Sequence, residues 1–350
     1  MRIGMVTVYQ SFNCGSFLQA YAIMRAVEKM GHEPIFFKNK VAKRAWLSYR
    51  LMQSAKYILQ GQFKRAKHVI EVYKNFRGVE RHFNVKPKND DVALAIYGSD
   101  TIWDTTMNYF DSHWKRFYGA DFCGKKVAYA VSIGASKPDV LLSCEDICKS
   151  VRAFDKIAVR DENTLEFVRG VLGNECDVLR VVDPTMLLEI SDYDEITPPC
   201  RENGYILFYY FGAISEKLKK EVREYADKTG KKIVVFGVDD GWADVYVTHD
   251  PMQMLSYYKN ADLVITNTFH GNVFSLIYNK QFISFGSTKP KVRDLLCEFK
   301  LSDRLVDDGG DISALLEERI DFTEANELKK EAKVRSLNYL KSAIKKEEKV

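Results

Sequence analysis

No apolar run in the 350 residues approaches the ~20 needed to cross a bilayer, so no membrane-spanning helix is expected. The opening stretch MRIGMVTVYQ runs straight into a strand pattern. It lacks the basic head, apolar centre and small-residue cleavage site of a secretory signal, which points to a cytoplasmic chain. The seven cysteines make no metal set: Cys144 and Cys148 stand four apart on an expected helix, with no second pair or nearby histidine. Free thiols in a reducing compartment are therefore expected. A dinucleotide fingerprint is missing too, since the turn after the first strand holds one glycine, Gly15, beside Cys14. There is no internal repeat and no low-complexity tract. What remains, 46% hydrophobic and 29% charged residues, is the composition of a chain able to pack a core.

Net charge is only +4, but it is unevenly spread. Between Lys38 and Lys88, fourteen Lys/Arg face only Glu71 and Glu80, a balance of +12 that leaves about −8 for the remainder. Apolar residues in this segment recur at helical spacing: Leu47, Leu51, Ala55, Ile58 and Leu59, then Phe63, Ala66, Ile70 and Tyr73. The spacing predicts a basic amphipathic helical pair, with Trp46, Tyr49 and Tyr57 nearby. Such a face suits anionic lipid at the inner side of the plasma membrane, or an anionic substrate; a solvated helix surface is the competing reading. Nucleic acid is not expected as a partner, because no DNA- or RNA-reading motif accompanies the charge.

Short apolar runs alternate with helical stretches, the pattern of parallel βαβ units. Strands are expected at Ile3–Val8, Pro34–Phe37, Ala93–Tyr97, Val127–Val131, Lys156–Val159 and Val178–Val182. A second set is expected at Tyr205–Phe211, Lys232–Phe236, Leu263–Thr266 and Phe282–Phe285. Between them, SDYDEITPPCREN (191–203) reads as a linker. The chain then divides into a doubly wound Rossmann-like domain at 1–190, carrying a basic insertion at 38–88, and a second at 204–322. Residues 323–350 form a charged helix expected to pack back on the first domain.

In open parallel sheets a ligand lies beyond the carboxyl ends of the strands, which directs attention to the residues just after each strand. Asn13, Gly15 and Ser16 precede a clear helix, where small residues let an anion approach free N–H groups; a plain capped turn explains them equally. Gly98-Ser99-Asp100-Thr101-Ile102-Trp103 suits a polar ligand, with Trp103 as a sugar-stacking surface; a buried tryptophan is the alternative. Ser132, Gly134 and Ser136 make another small-residue loop, open to phosphate or hydroxyls. Arg160 ends a strand, placed to clamp a carboxylate or phosphate through its planar fork. Asp183-Pro184-Thr185 reads as a turn without chemistry. The most informative stretch is Asn267-Thr268-Phe269-His270-Gly271-Asn272, where a buried strand gives way to an apolar helix. His270 there can meet a phosphate oxygen or act as general acid, against the reading of a structural histidine.

Across roughly residues 1–305 the order of motifs resembles the polysaccharide pyruvyl transferase family. The landmarks are Asn13/Gly15 with LQAYA, GSDTIW, YAVSIGAS, AVRDENT, VDPTMLL and, above all, TNTFHGNVFSLIYNKQF. Thr268 stands where many members carry arginine, so the chain resembles a divergent branch with a Thr-Phe-His-Gly motif. The resemblance implies the two-domain architecture of GT-B glycosyltransferases. It also implies transfer of a pyruvyl group from phosphoenolpyruvate to two hydroxyls of a surface polysaccharide or its lipid-linked precursor, with no metal and no organic cofactor. By the same resemblance His270 is general acid or phosphate ligand. Arg160 and Lys291, with the loop residues Asn267, Thr268 and Gly271, hold the donor. Asn13, Gly15, Ser16, Ser99, Asp100 and Trp103 face the acceptor sugar. Two other functions fit the same layout: a GT-B-type glycosyltransferase using a nucleotide sugar, and a non-catalytic sugar-binding component of a polysaccharide assembly system.

Overall fold

Runs such as LAIY, KKVAYAV and ADLVIT are apolar almost throughout, which suits strands covered by helices on both faces. The computed structural model describes residues 1–38, 43–86 and 92–345. Lys40, Lys88 and the lysine-rich end beyond 345 lie outside the described residues, as do the side chains of Lys43, Arg44, Trp46 and Glu80.

Thirteen strands form two sheets among the described residues. The first contains β1 (Arg2–Val6), β2 (Glu33–Phe37), β3 (Val85–Lys86), β4 (Leu94–Tyr97), β5 (Lys125–Val131), β6 (Lys156–Val159) and β7 (Leu179–Arg180). Its order is β3-β2-β1-β4-β5-β6-β7. The second contains β8 (Tyr205–Tyr209), β9 (Ile233–Phe236), β10 (Val245–Val247), β11 (Ala261–Thr266), β12 (Gln281–Phe285) and β13 (Leu305–Val306), in the order β10-β9-β8-β11-β12-β13. Every pairing is parallel. The fold is α/β, with two Rossmann-like doubly wound units facing across a cleft in the manner of the GT-B glycosyltransferases. Strand order reverses between β1 and β4 in one sheet and between β8 and β11 in the other, and such reversals open the crevice where ligands bind.

Several strands end earlier than the apolar pattern predicts, each because a side chain or helix captures the backbone. Beyond β1, the Gln19 side-chain amide donates to the Val8 carbonyl at 2.8 Å. Beyond β8, the Phe211 N–H and C=O both pair with the Asn267 side chain, at 3.0 and 2.9 Å. At β7, the Val182 amide donates to Ser336 Oγ of the C-terminal helix rather than to a strand. The short edge strands β3, β10 and β13 carry too few residues to show a pattern. The expected linker also begins as structure: Ile190–Asp194 is helical, Tyr193 is fully buried and its hydroxyl donates to the Thr185 carbonyl.

The helix Thr323–Ile344 lies on the first sheet although it follows the second in sequence. Its Tyr339 hydroxyl donates to the Ala128 carbonyl of β5, and Leu340, Ala343 and Ile344 join the core cluster that holds Ile3 and Tyr129. The basic segment forms two helices, Lys43–Leu59 and Phe63–Phe76. The second buries Ala66, Val69, Val72 and Phe76, whereas Leu47, Leu51, Ile58, Leu59 and Phe63 of the expected apolar stripe face solvent.

Leu340 has no exposed surface, so Leu340→Ala removes buried methyl groups and leaves a cavity. Chemical denaturation is expected to show a loss of about 2–5 kcal/mol. A change below about 0.5 kcal/mol, typical of surface positions, would show that the helix does not belong to the core.

Candidate functional site

The loops at the two strand-order reversals meet. After β11, Thr268 caps the helix Phe269–Ile277, its hydroxyl accepting from the Gly271 amide at 2.8 Å. His270 thus lies in the first turn of that helix, only 8% exposed. Its ring presses on Gly15 from the first unit, where a Cβ would stand 2.1 Å from Nδ1. No residue but glycine permits that approach. Packing of one unit against the other buries it.

Beneath the ring sits Asp183, with no exposure at its carboxyl. Its Oδ2 accepts from Arg160 Nη1 at 3.0 Å and Ser99 Oγ at 3.1 Å, and lies 3.7 Å from His270 Nε2. Its Oδ1 accepts from the Thr185 amide and hydroxyl. Burial alone would raise this carboxyl; His270, the Arg160 guanidinium and Thr185 outweigh it and hold the carboxyl well below the usual range. At 3.7 Å the imidazole is beyond hydrogen-bond reach, so its share is charge attraction rather than a formed bond. Asp183, read from sequence as a plain turn, is the centre of the cluster. The strand-end rule that singles out Arg160 applies equally to it, since it follows the expected strand Val178–Val182, but Asp-Pro-Thr is a turn signal and hides it.

Arg160 is buried, and two of its donors, Nε and Nη2, have no partner among the described residues. His270 Nε2 is likewise unpartnered. The guanidinium carbon lies 4.6 Å from the centre of the Phe269 ring, and Lys291 Nζ lies 5.8 Å from the same ring. Phe269, not singled out from sequence, is therefore the aromatic floor for two cations. Burial, then the Arg160 charge, lowers the Lys291 pKa, against the pull of Asp100 and Asp161. Asp100 accepts from Ser16 Oγ at 2.6 Å; burial pushes its carboxyl up, but Arg160, His270, Ser16 and Lys291 together bring it below the ordinary value. A narrow crevice opens here, lined by Arg160, Asp161, Asp183, Phe269, Lys291 and Asp294 among others. His270 is not part of that lining; it reaches the same carboxylate from beside it.

Other expected site residues are placed differently. Trp103 has no exposed surface: its indole N–H donates to the Phe117 carbonyl and its ring stacks on Tyr118 at 5.0 Å, so it offers no face to a sugar. Ser99 is buried and spends its hydroxyl on Asp183. Asn13 accepts from the Gly15 and Ser16 amides, occupying N–H groups that an anion would need. Asn267 ties its loop to Phe211, Thr268 caps its helix, and Gly271 packs against Thr266 and Thr268, so these three build the loop rather than line the crevice. Ser136 and Gly134 fold around Asp104 instead of an open pocket. Among the described residues, no group of three or more His, Cys, Asp or Glu is arranged to hold a metal ion.

Asp183→Asn leaves a buried guanidinium with its charge uncompensated, and thermal or chemical denaturation is expected to show a loss of about 3–5 kcal/mol. Because the folded carboxyl titrates below its unfolded value of about 3.9, its contribution is complete above that pH and disappears as pH falls through the folded value. The Asn variant should accordingly lose less stability than the parent between pH 5 and about pH 2. Parallel acid limbs for the two proteins would show that Asp183 carries no depressed ionisation.

The comparisons agree with this layout. The solved structure of UDP-GlcNAc 2-epimerase from Neisseria meningitidis bound to UDP-GlcNAc is similar at TM-score 0.52 and 8% identity, covering 98% of this chain and 99% of that one. The UDP-GlcNAc 2-epimerase of Methanocaldococcus jannaschii is similar at TM-score 0.51 and 12% identity, covering 97% and 100%. At such identities the likeness is one of fold. No curated protein matches the sequence. A family profile described as Polysaccharide pyruvyl transferase does, over residues 13–289, from the Asn13 cap through the His270 helix to Lys289. The chain belongs to the polysaccharide pyruvyl transferase family.

Proposed function

We propose that the chain transfers the pyruvyl group of phosphoenolpyruvate to two hydroxyls of a sugar, forming a cyclic ketal on a surface polysaccharide or its lipid-linked precursor. The observation that carries this reading is the set of unpartnered donors at the crevice, Arg160 Nε and Nη2 with His270 Nε2 nearby. A buried guanidinium with two idle nitrogens is costly unless an anion or water completes it. Phosphoenolpyruvate brings a phosphate and a carboxylate on three carbons. Its two anionic groups match the two cations at the crevice, Arg160 and Lys291.

In the reaction, a proton adds to the methylene carbon and one sugar hydroxyl attacks C2. The second hydroxyl then displaces phosphate, which leaves with the remaining proton. Arg160 and Lys291 would bind and orient the two anionic groups, and the developing charge at C2 would sit close to Asp100 and Asp183. His270 would deliver the proton or hold the departing phosphate, with Asp183 fixing its position. Asp183 is a positioning residue in this scheme.

His270→Asn, which keeps a polar side chain of smaller size at the Gly15 contact, is expected to lower turnover by roughly 10²–10⁴-fold, the span of general acid–base catalysis. Retained turnover would remove His270 from the chemistry. In a thermal-shift titration phosphoenolpyruvate should raise the melting temperature and UDP-GlcNAc should not; the reverse would point to a nucleotide sugar, as in the epimerases of similar fold. Lys291 must be charged to bind the donor and its pKa is lowered, so affinity should fall with rising pH at a midpoint below the ordinary lysine value of about 10.4. Lys291→Arg should move that fall beyond the accessible range. A pH profile unchanged by Lys291→Arg would show that Lys291 does not hold the donor.

A further inference from the structure

Helices normally bury their apolar side, yet Lys43–Leu59 turns its apolar side to water. Leu47, Leu51, Met52, Ala55, Ile58 and Leu59 follow one another around about 140° of the helix at 100° per residue. Among the large ones, exposure runs from 38% at Leu47 to 89% at Leu59. Phe63, just past the Gln60-Gly61-Gln62 turn, extends the same apolar surface. The exposure is built in, because the adjoining side is fastened down. Arg50 lies 4.0 Å over the Phe12 ring, and Ser54 Oγ donates to the Ala66 carbonyl of the following helix.

Exposed cations lie on the same two helices: Lys56 on this one, and Lys64, Arg65, Lys67 and Lys74 on the next. Two of them have acidic neighbours, Lys64 with Asp239 and Lys67 with Glu71, but the segment as a whole remains +12. A contiguous apolar patch with positive charge on the same helices marks an interaction surface. The geometry points to an anionic lipid bilayer as its occupant, with Leu51, Met52, Leu59 and Phe63 entering the headgroup boundary while the cations meet lipid phosphates. A second copy of the chain would bring a second +12 segment to the same place, so charge disfavours self-association there. The following helix is also joined to the second unit, through Thr248 Oγ1 to Glu71 at 2.8 Å and Asn75 Nδ2 to the His249 carbonyl at 3.0 Å. The docking surface therefore keeps a fixed relation to the crevice. This inference goes beyond the proposed reaction and does not depend on it.

The test is sedimentation of the full chain with vesicles of phosphatidylcholine alone or with added phosphatidylglycerol. Retention is expected on the anionic vesicles only, and it should fall as the Debye length shrinks from about 30 Å at 0.01 M salt to about 3 Å at 1 M. Leu51→Asp with Leu59→Asp should weaken retention at least about tenfold without changing the melting temperature, since both residues are exposed. Lys56→Glu with Lys74→Glu should lower retention at low salt and flatten its fall with salt, or abolish retention. Equal retention on neutral vesicles, salt-independent retention, or variants that bind like the parent would each overturn the proposal. So would absence of vesicle binding, whether or not the chain forms a dimer that Leu59→Asp dissolves.

Discussion

Taking a carboxylate completely out of water costs several kcal/mol unless other groups replace the lost hydration, and Asp183 is held in that position by contacts from both halves of the protein. Arg160 and Ser99 come from the strand ends of the first sheet, and His270 from the helix that opens after β11 of the second. Once Asp183 is ionised, the rest of the site follows. The guanidinium commits one nitrogen to it and keeps two idle, Phe269 floors the two cations, and the imidazole is drawn towards the same oxygen. The electrostatic balance that stabilises the interface is also what leaves anion-binding donors without partners. Structural and chemical roles share the same few atoms.

Topology explains why these atoms converge. Each sheet reverses its strand order once, and each reversal leaves two adjacent loops with open space beyond the strands. In the first sheet those loops carry Gly15 and Asp100; in the second they carry Phe211 and His270. Facing the two reversals across one cleft puts the imidazole against Gly15, and only the missing Cβ allows contact that close. The C-terminal helix, returning from the second unit to lie on β5 and to take the Val182 amide, links the halves a second time, away from the crevice.

Much of this was legible in the sequence, and the reasons for the failures are physical. Continuous apolar runs with helices between them indicate parallel sheets, and the two-domain α/β architecture follows from them. Arg160 and His270 stand out because they end strands that are easy to recognise. Asp183 also follows an expected strand, Val178–Val182, but Asp-Pro-Thr reads as a turn, and the Arg160, Ser99 and His270 contacts that make it a centre come from distant parts of the chain. Trp103 misleads for the opposite reason: a tryptophan after a strand resembles a sugar platform, and its burial depends on Tyr118 and the Phe117 carbonyl. Asn13, Asn267 and Thr268 look like ligand groups in sequence, since the polar side chains that cap helices and join loops are the same types that bind ligands. The exposed apolar face of Lys43–Leu59 was legible as a stripe, but its direction was not, because spacing fixes which residues share a face and not what covers it.

The central claim is that the idle donors of Arg160 and His270 around Asp183 form the seat of a small dianion. A crystal structure of the chain soaked with phosphoenolpyruvate tests it most directly. The account predicts phosphate or carboxylate oxygens within about 3.2 Å of Arg160 Nη2 or Nε, with the other anionic group near Lys291 and the methylene carbon turned towards His270. Phosphoenolpyruvate bound elsewhere, with water alone on the Arg160 donors, would contradict it.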